Sequence, residues 1–534
     1  MVGKMTDLEL FKNLKKPSVY GSDVRAVTLL QTHISFVALT GEYAYKIKKP
    51  VNFGFLDFST LEKRKHFCEE EIRLNKRLCP DIYLDVVPIT IENNRVSIDG
   101  SGEIIDYAVK MKEFSQEKLM TNLLQKNKID EEVLDKIIDV LVNFYNFSER
   151  SKEIDQFGTV KSIKINTDEN FEQTKSVIGI TISRYIYDYI KDVTNKFLEQ
   201  NKKIFDGRIK DGFICDCHGD LHSGNIVVNK SDICIFDCIE FNKRFRYSDI
   251  ASDIGFLAMD LDFLGHPYFS SYLIEKYVEQ SGDSHIFDVL NFYKCYRAYV
   301  RGKVTGFKLN DPNIGDLEKE KAIYIVKKYF DLAFYYAKLC SLDLKRDKKP
   351  ILFVTSGLTG TGKTTISRKI HVDYTAHLIS TDAVRKEIEG IDKFERHHDA
   401  YNTGLYSPEK MVRTYKEVLK KAESYLKKGQ NVVLDATFKT RNLRDTVKKL
   451  AEETNSNYMF LYCNCPEEVV KEYLETRIKK KSISDGRWEI YVKQKDSFEK
   501  LDKDECFVEI DVSNRSFEYQ TNVFNEIFDT VCED

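Results

Sequence analysis

Hydrophobic and polar positions change their spacing partway along the chain. Strand-length runs occur at Ile34 to Leu39, Glu42 to Lys48, Val86 to Thr90 and Ile104 to Lys112, and they predict strands. Long stretches of helical spacing follow, broken by short apolar runs near Ile226 and Ile235 that predict two more strands. This order predicts a sheet-bearing small lobe followed by a mostly helical large lobe. Farther on, the runs Ile351 to Thr355, Ala376 to Ser380, Asn431 to Asp435, Tyr458 to Tyr462 and Cys506 to Val512 alternate with helical patterns, which predicts a parallel α/β sheet. The charged stretch Ser341 to Pro350 separates the two regimes and sets a boundary near Lys348, giving domains 1–347 and 348–534. The fold class is therefore two-domain, α+β followed by α/β.

The 534 residues allow three to four domain-sized units at about 150 residues each. A hydrophobic share of 42% against 31% charged fills sizeable cores and excludes a disordered chain. The formal charge of -3 gives no global reason to bind nucleic acid or anionic membrane. No apolar run approaches the length of a spanning helix and the first residues carry no apolar secretory core, so the expectation is a cytoplasmic protein with no membrane partner. The twelve cysteines include the close pairs Cys215/Cys217 and Cys463/Cys465 but no paired C-x-x-C knuckles, and they read as buried free thiols.

Gly357-Leu-Thr-Gly-Thr-Gly-Lys-Thr364 is G-x-x-x-x-G-K-T directly after a predicted strand and before a predicted helix, the context of a phosphate-binding loop. Gly357, Gly360 and Gly362 let the backbone wrap phosphate oxygens, with the amides of Thr361, Lys363, Thr364 and Thr365 turned toward the negative charge. Lys363 neutralises phosphate; Thr364, and Asp435 at the end of Val432-Val433-Leu434, suit Mg²⁺. Asp382 lies just past the second strand, where such sheets collect ligands, and can take a hydroxyl proton; Arg385, one turn on, can hold substrate or the transferring group. The competing reading is a helix cap with an i,i+3 ion pair. Arg477 and Arg487 flank a basic run and are lid candidates, against the plainer reading of a solvated charged face. These motifs together resemble the small P-loop kinases, including polynucleotide 5′-hydroxyl, zeta-toxin-like and gluconate kinases. The resemblance covers about residues 350 to 530 and implies a five-stranded parallel sheet, ATP and Mg²⁺, with Asp382 at the general-base position.

A second constellation lies upstream. His218-Gly-Asp-Leu-His-Ser-Gly-Asn225 puts Asp220 and Asn225 five residues apart, the spacing of a catalytic loop that presents a base and a metal ligand together, and Asp237 follows a short strand. On the strand through Tyr43-Ala-Tyr-Lys46, alternation puts Ala44 and Lys46 on one face; Lys48 shares it and can serve in place of Lys46. The helix from Ser59 to Leu78 is expected to open with Ser59 and Glu62 as a capping box, and Glu71 is its choice of lysine partner, with Glu69 and Glu70 as rivals. Asp249, Asp253, Asp260 and Asp262 read as caps and fold-stabilising pairs.

This set resembles aminoglycoside and choline phosphotransferases and the wider protein-kinase-like bilobal fold over about residues 20 to 340. The resemblance implies Asp220 as base, Asn225 and Asp237 as Mg²⁺ ligands, Lys46 as the phosphate lysine and Tyr107 to Phe114 as the interlobe hinge. No G-x-G-x-x-G precedes Lys46, only Gly41 in a tight turn. The full layout is similar to bacterial proteins described as bifunctional aminoglycoside phosphotransferase/ATP-binding proteins. The expectation is a bifunctional ATP-dependent phosphotransferase, each half moving the γ-phosphoryl group to a hydroxyl of a small molecule. The alternatives are one kinase half with a regulatory nucleotide-binding half, or a nucleic-acid 5′-end kinase that grips the strand with Arg477 to Lys481 and Lys439 to Arg444. No obligate protein partner is inferable.

Overall fold

The computed structural model describes residues 7–229, 232–310, 314–344, 348–392, 394–395, 403–477 and 485–532. Two compact units result, residues 1–163 with 203–257, and residues 164–202 with 258–534. The chain is mixed α/β in both, as the hydrophobic pattern requires. No helix among the described residues is long and apolar enough to cross a membrane.

The first unit is built on a six-stranded antiparallel sheet. Its strands are β1 (Thr28–Gln31), β2 (Ser35–Leu39), β3 (Tyr43–Lys48), β4 (Tyr83–Glu92), β5 (Arg95–Ile98) and β6 (Glu103–Lys112), in the order β1-β2-β3-β6-β4-β5. Alternation along β3 sends Tyr45 and Ile47 into a core with Phe36, Ala38, Val87, Ile89 and Ala108. Lys46 and Lys48 therefore emerge on the opposite face, toward the helix Leu61–Asn75. That helix is capped by Thr60, whose Oγ1 accepts from Lys63 N, one residue beyond the expected Ser59. Ser59 instead hydrogen-bonds Asp57, which removes it from the cap. The helix buries Arg64, Cys68, Glu71, Leu74 and Asn75 along one stripe. Short strands β7 (Ile214–Asp216), β8 (Ile226–Val228), β9 (Ile233–Ile235) and β10 (Tyr247–Asp249) pair as β7 with β10 and β8 with β9.

Not every cysteine is a free thiol. Cys79 and Cys234, 155 residues apart in sequence, form a disulfide, while Cys215, Cys217, Cys463 and Cys465 are buried free thiols. Local spacing carries no signal for such a pair, because the fold alone brings the end of the Leu61–Asn75 helix beside β9.

The second unit carries a five-stranded parallel sheet, β11 (Ile351–Ser356), β12 (His377–Ser380), β13 (Val432–Asp435), β14 (Asn457–Asn464) and β15 (Phe507–Asp511), ordered β12-β13-β11-β14-β15. Central β11 is buried along its whole length, which is why its six residues show no alternation. Leu352, Val354, Val432, Leu434, Val447 and Phe460 form the core on one side. The helices Pro267–Ser281, Phe287–Gly306 and Asp316–Asp343 belong to this same unit. Packing thus groups the chain differently from the limits 1–347 and 348–534, although strand and helix alternate only after the second of those limits. Buried polar contacts contribute to this grouping. Lys294 lies 2.7 Å from Asp262; Lys369, on the helix Lys363–Asp373, lies 3.3 Å from Asp262 and 2.7 Å from Asp373. Tyr336 and Tyr335 donate to Asp262 and Asp373, each at 2.6 Å. The buried charges balance, two ammonium groups against two carboxylates.

Candidate functional site

In the first unit the loop His218–Asn225 leaves β7 and is fixed by hydrogen bonds. The amides of His218 and Gly219 donate to the two oxygens of Asp253, at 2.7 and 2.9 Å. Asp220 N donates to His218 Nδ1 at 3.2 Å, so the ring proton sits on Nε2, which faces Phe236 O at 3.0 Å. Burial lowers the His218 pKa, keeping the ring neutral. Asn225 Nδ2 donates to the backbone oxygen of Asp220 at 3.0 Å and to its Oδ2 at 3.1 Å. This turns Asn225 Oδ1, a hard oxygen, away from the base candidate. Phe236 N donates to Asn225 O at 3.0 Å and Ile239 N to His218 O at 3.2 Å, so the segment bearing Asp237 lies alongside the loop.

Asp237 has φ of 64°, a left-handed conformation that a non-glycine residue adopts at a cost. Tyr83 Oη accepts from its amide at 3.2 Å. Its Oδ1 accepts from Lys46 Nζ at 2.6 Å, and Lys46 also lies 2.8 Å from Glu71 Oε1. Among the three glutamates of the helix, Glu71 is the one at the lysines; Glu70 pairs with Arg73 and Glu69 faces Lys65. Burial opposes the Lys46 charge, yet Asp237 and Glu71 outweigh it and raise its pKa well above the ordinary value. Glu71 is likewise held down to about 2, against burial, by Lys46 and Lys48. Lys48 is turned inward: its Nζ lies 2.7 Å from Glu71 Oε2 and bonds Glu240, with 1% of the side chain exposed. A phosphate could not reach it there, so of the two lysines Lys46 faces the site.

Gly219 allows this loop geometry. Its φ is +86°, and a Cβ would lie 2.9 Å from Phe245 O, a backbone atom that cannot move aside. Gly219→Ala is expected to cost about 1–3 kcal/mol of stability, read as a lower denaturant midpoint; an unchanged midpoint would show that the loop relaxes without the strain.

In the second unit the phosphate-binding loop connects β11 to the helix Lys363–Asp373. Gly362, with φ of +83°, is the N-cap of that helix, and a Cβ would run into Val512. Gly357 approaches Cys463 O, and Gly360 faces Val470 and Leu474. Thr361 Oγ1 donates to Leu358 O at 2.8 Å, and Thr365 N to Gly362 O at 2.9 Å. Lys363 Nζ donates to Leu358 O at 2.6 Å, curled over its own loop. Thr364 Oγ1 donates to Asp435 Oδ2 at 2.8 Å, so the two expected Mg²⁺ groups do meet. Asp435 ends β13 in register with Ser380 of β12, and Thr381 Oγ1 donates to Asp435 O at 3.1 Å. The helix Thr381–Ile388 therefore starts beside Asp435. Ser380 caps it, and Asp382 pairs with Arg385 at 2.6 Å. The Arg385 guanidinium lies 4.5 Å over the Tyr406 ring.

Of the lid candidates, Arg487 precedes the helix Trp488–Lys495, its Nε 3.7 Å from Glu489. Arg477 ends the helix Glu467–Arg477; its side chain and residues 478–484 lie outside the described residues. The basic run Lys439 to Arg444 does not present a row of exposed cations. Arg444 is buried against Glu505 at 2.6 Å, and Arg441 pairs with Asp504 at 2.6 Å and Asp445 at 3.1 Å. Three participants carried no motif: Glu240, Asp253 and Gln494, whose Oε1 accepts from Thr359 N in the phosphate-binding loop at 2.9 Å.

A protein-family model described as an AAA domain matches residues 352–501. Uncharacterized proteins of Mycobacterium tuberculosis and Mycobacterium bovis are 29% identical to this chain over 456 residues, covering 85% of it and 87% of theirs. Among solved structures, a choline/ethanolamine kinase family protein from Mesorhizobium loti is 11% identical and covers 62% of this chain and 99% of its own, with a TM-score of 0.36. A gluconokinase from Sinorhizobium meliloti is 19% identical over 35% of this chain and 96% of its own, with a TM-score of 0.25.

Proposed function

We propose that the chain is an ATP-dependent phosphotransferase with two separate sites, each acting on a hydroxyl of a small molecule. The observation that carries the reading is that Lys46, on β3, meets Asp237, 191 residues away in sequence, while the loop holding Asp220 against Asn225 runs alongside the Asp237 segment. In that unit Asp220 is the acceptor of the hydroxyl proton, and Lys46 holds phosphate oxygens while Glu71 orients the lysine. In the second unit the backbone of residues 357–364 cradles phosphates, Lys363 neutralises them, and Asp382, steadied by Arg385, takes the proton.

The donor sets fit Mg²⁺. Asn225 Oδ1 and Asp237 in one unit, and Thr364 and Asp435 in the other, are hard oxygen ligands. Among the described residues no cluster of three or more His, Cys, Asp or Glu forms a cage. Mg²⁺ typically takes one or two protein oxygens plus phosphates and waters. Bound there, the ion would neutralise charge on the phosphates.

The test is transfer of γ-labelled phosphate from ATP into the small-molecule fraction of a cell extract. Asp220→Ala and Lys363→Ala are each expected to abolish one labelled product and leave the other. Wild-type protein that binds ATP at both sites yet labels nothing above background would replace this reading with a nucleotide sensor.

A further inference from the structure

The first site contains more buried charge than one phosphate lysine and its partner require. Five groups alternate in sign along one line: Asp237, Lys46, Glu71, Lys48, Glu240. Lys46 lies 2.6 Å from Asp237 and 2.8 Å from one oxygen of Glu71. Lys48 lies 2.7 Å from the other oxygen of Glu71 and bonds Glu240. The line opens to solvent at one end only. The Asp237 side chain is 43% exposed and that of Lys46 15%, whereas Glu71, Lys48 and Glu240 are at 0, 1 and 5%. Phe58 covers the closed end, its ring centroid 4.8 Å from Lys48 Nζ.

Charge balance gives the closed end a function. Two carboxylates, Glu71 and Glu240, stand in a dry environment where an unpaired charge is strongly disfavoured. With Lys48 present each has a cation besides Lys46. With Lys48 absent, Lys46 is the cation left to both, and its attraction to them competes with its attraction to phosphate. We infer that Lys48 is a positioning residue of the first phosphate site: held between Glu71 and Glu240, it neutralises the buried carboxylates and so leaves Lys46 available to a nucleotide. The directions of titration agree. Burial raises the Glu240 pKa, opposed first by Lys48; burial alone would lower the Lys48 pKa, but Glu240 and then Glu71 keep the ammonium charged.

This inference rests on the phosphotransferase reading of the first unit, and the experiment separates the two. ATP with Mg²⁺ is titrated into the full chain carrying Lys363→Ala, which weakens the second site about a hundredfold so that the tighter phase reads the first, alongside thermal unfolding of each variant. In that background Lys48→Met is expected to weaken ATP binding at least tenfold. Adding Glu240→Gln, which removes the carboxylate that lost its cation, is expected to restore binding to within about threefold, an effect simple loss of packing would not produce. If Lys48→Met does not fold, the same rescue is expected to return both folding and binding. Binding unchanged by Lys48→Met, or a double variant that binds no better or folds no better than Lys48→Met, overturns the inference. Absence of ATP binding in the Lys363→Ala background itself would overturn the reading of the first unit instead.

Discussion

Lys363→Ala is expected to weaken ATP binding at the second site about a hundredfold, or ~2.7 kcal/mol. In the structure the ammonium donates to Leu358 O at 2.6 Å, so binding exchanges a neutral carbonyl for phosphate oxygens. A hydrogen bond with an ionised partner contributes about 1.5–3 kcal/mol, and the ammonium's bond to Leu358 O is already of that kind. Two such bonds to phosphate, less the one given up, leave a net of about 1.5–3 kcal/mol, a range that includes the stated size. Calorimetric titration of the full chain, with Lys46→Met silencing the first site, reads the change directly. An affinity within threefold of the parent would mean that the loop does not grip phosphate, despite the helix N-terminus and the Thr364 to Asp435 bond at 2.8 Å.

That loop was legible because its chemistry is local. Phosphate contact needs glycines, a lysine and a hydroxyl at fixed spacing, and the flanking strand and helix announce themselves by apolar runs. The same holds for Asp220 and Asn225, which share one short loop. Partners that meet only through the fold are a different matter. Strand alternation put Lys46 and Lys48 on one face of β3 but could not say which faces the site; that depends on Glu240, nearly two hundred residues away, and on Phe58. The disulfide between Cys79 and Cys234 and the grip of Asp253 on the His218 and Gly219 amides are of this kind too.

The grouping of helices with the second sheet escaped the sequence for a related reason. Helical periodicity marks apolar faces, whereas part of this packing is ionic. Asp262 reads as one more acid on an amphipathic run until the fold brings Lys294 and Lys369 to 2.7 and 3.3 Å from its carboxylate. The boundary near Lys348 rests on a charged stretch and a change of local pattern, whereas grouping by contact also includes pairs such as Asp262 with Lys369 that lie on either side of it.

Arg444 carries the same lesson into a measurable quantity. Read in sequence it is one cation of a basic run. Folded, its side chain is 1% exposed, with Nε 2.6 Å and Nη2 3.2 Å from the two oxygens of Glu505. Its remaining donors reach Phe438 O at 3.3 Å, Glu499 O at 2.9 Å and Lys500 O at 3.2 Å. One guanidinium thus fastens the segment after β13 to the loop that precedes β15. Arg444→Met keeps much of the volume but leaves a buried carboxylate and these carbonyls without that donor, and removal of one member of a buried ion pair costs about 3–5 kcal/mol. Denaturant unfolding of the full chain is expected to show a loss of that order in the transition reporting the second unit. Glu505→Gln in the Arg444→Met background is expected to recover part of it, because the carboxylate, which then keeps Arg441 at 3.6 Å and the Asp502 amide but has lost its bidentate partner, is gone. A loss below about 1 kcal/mol would place Arg444 with ordinary surface cations, and would return the basic run to the candidates for a nucleic-acid grip.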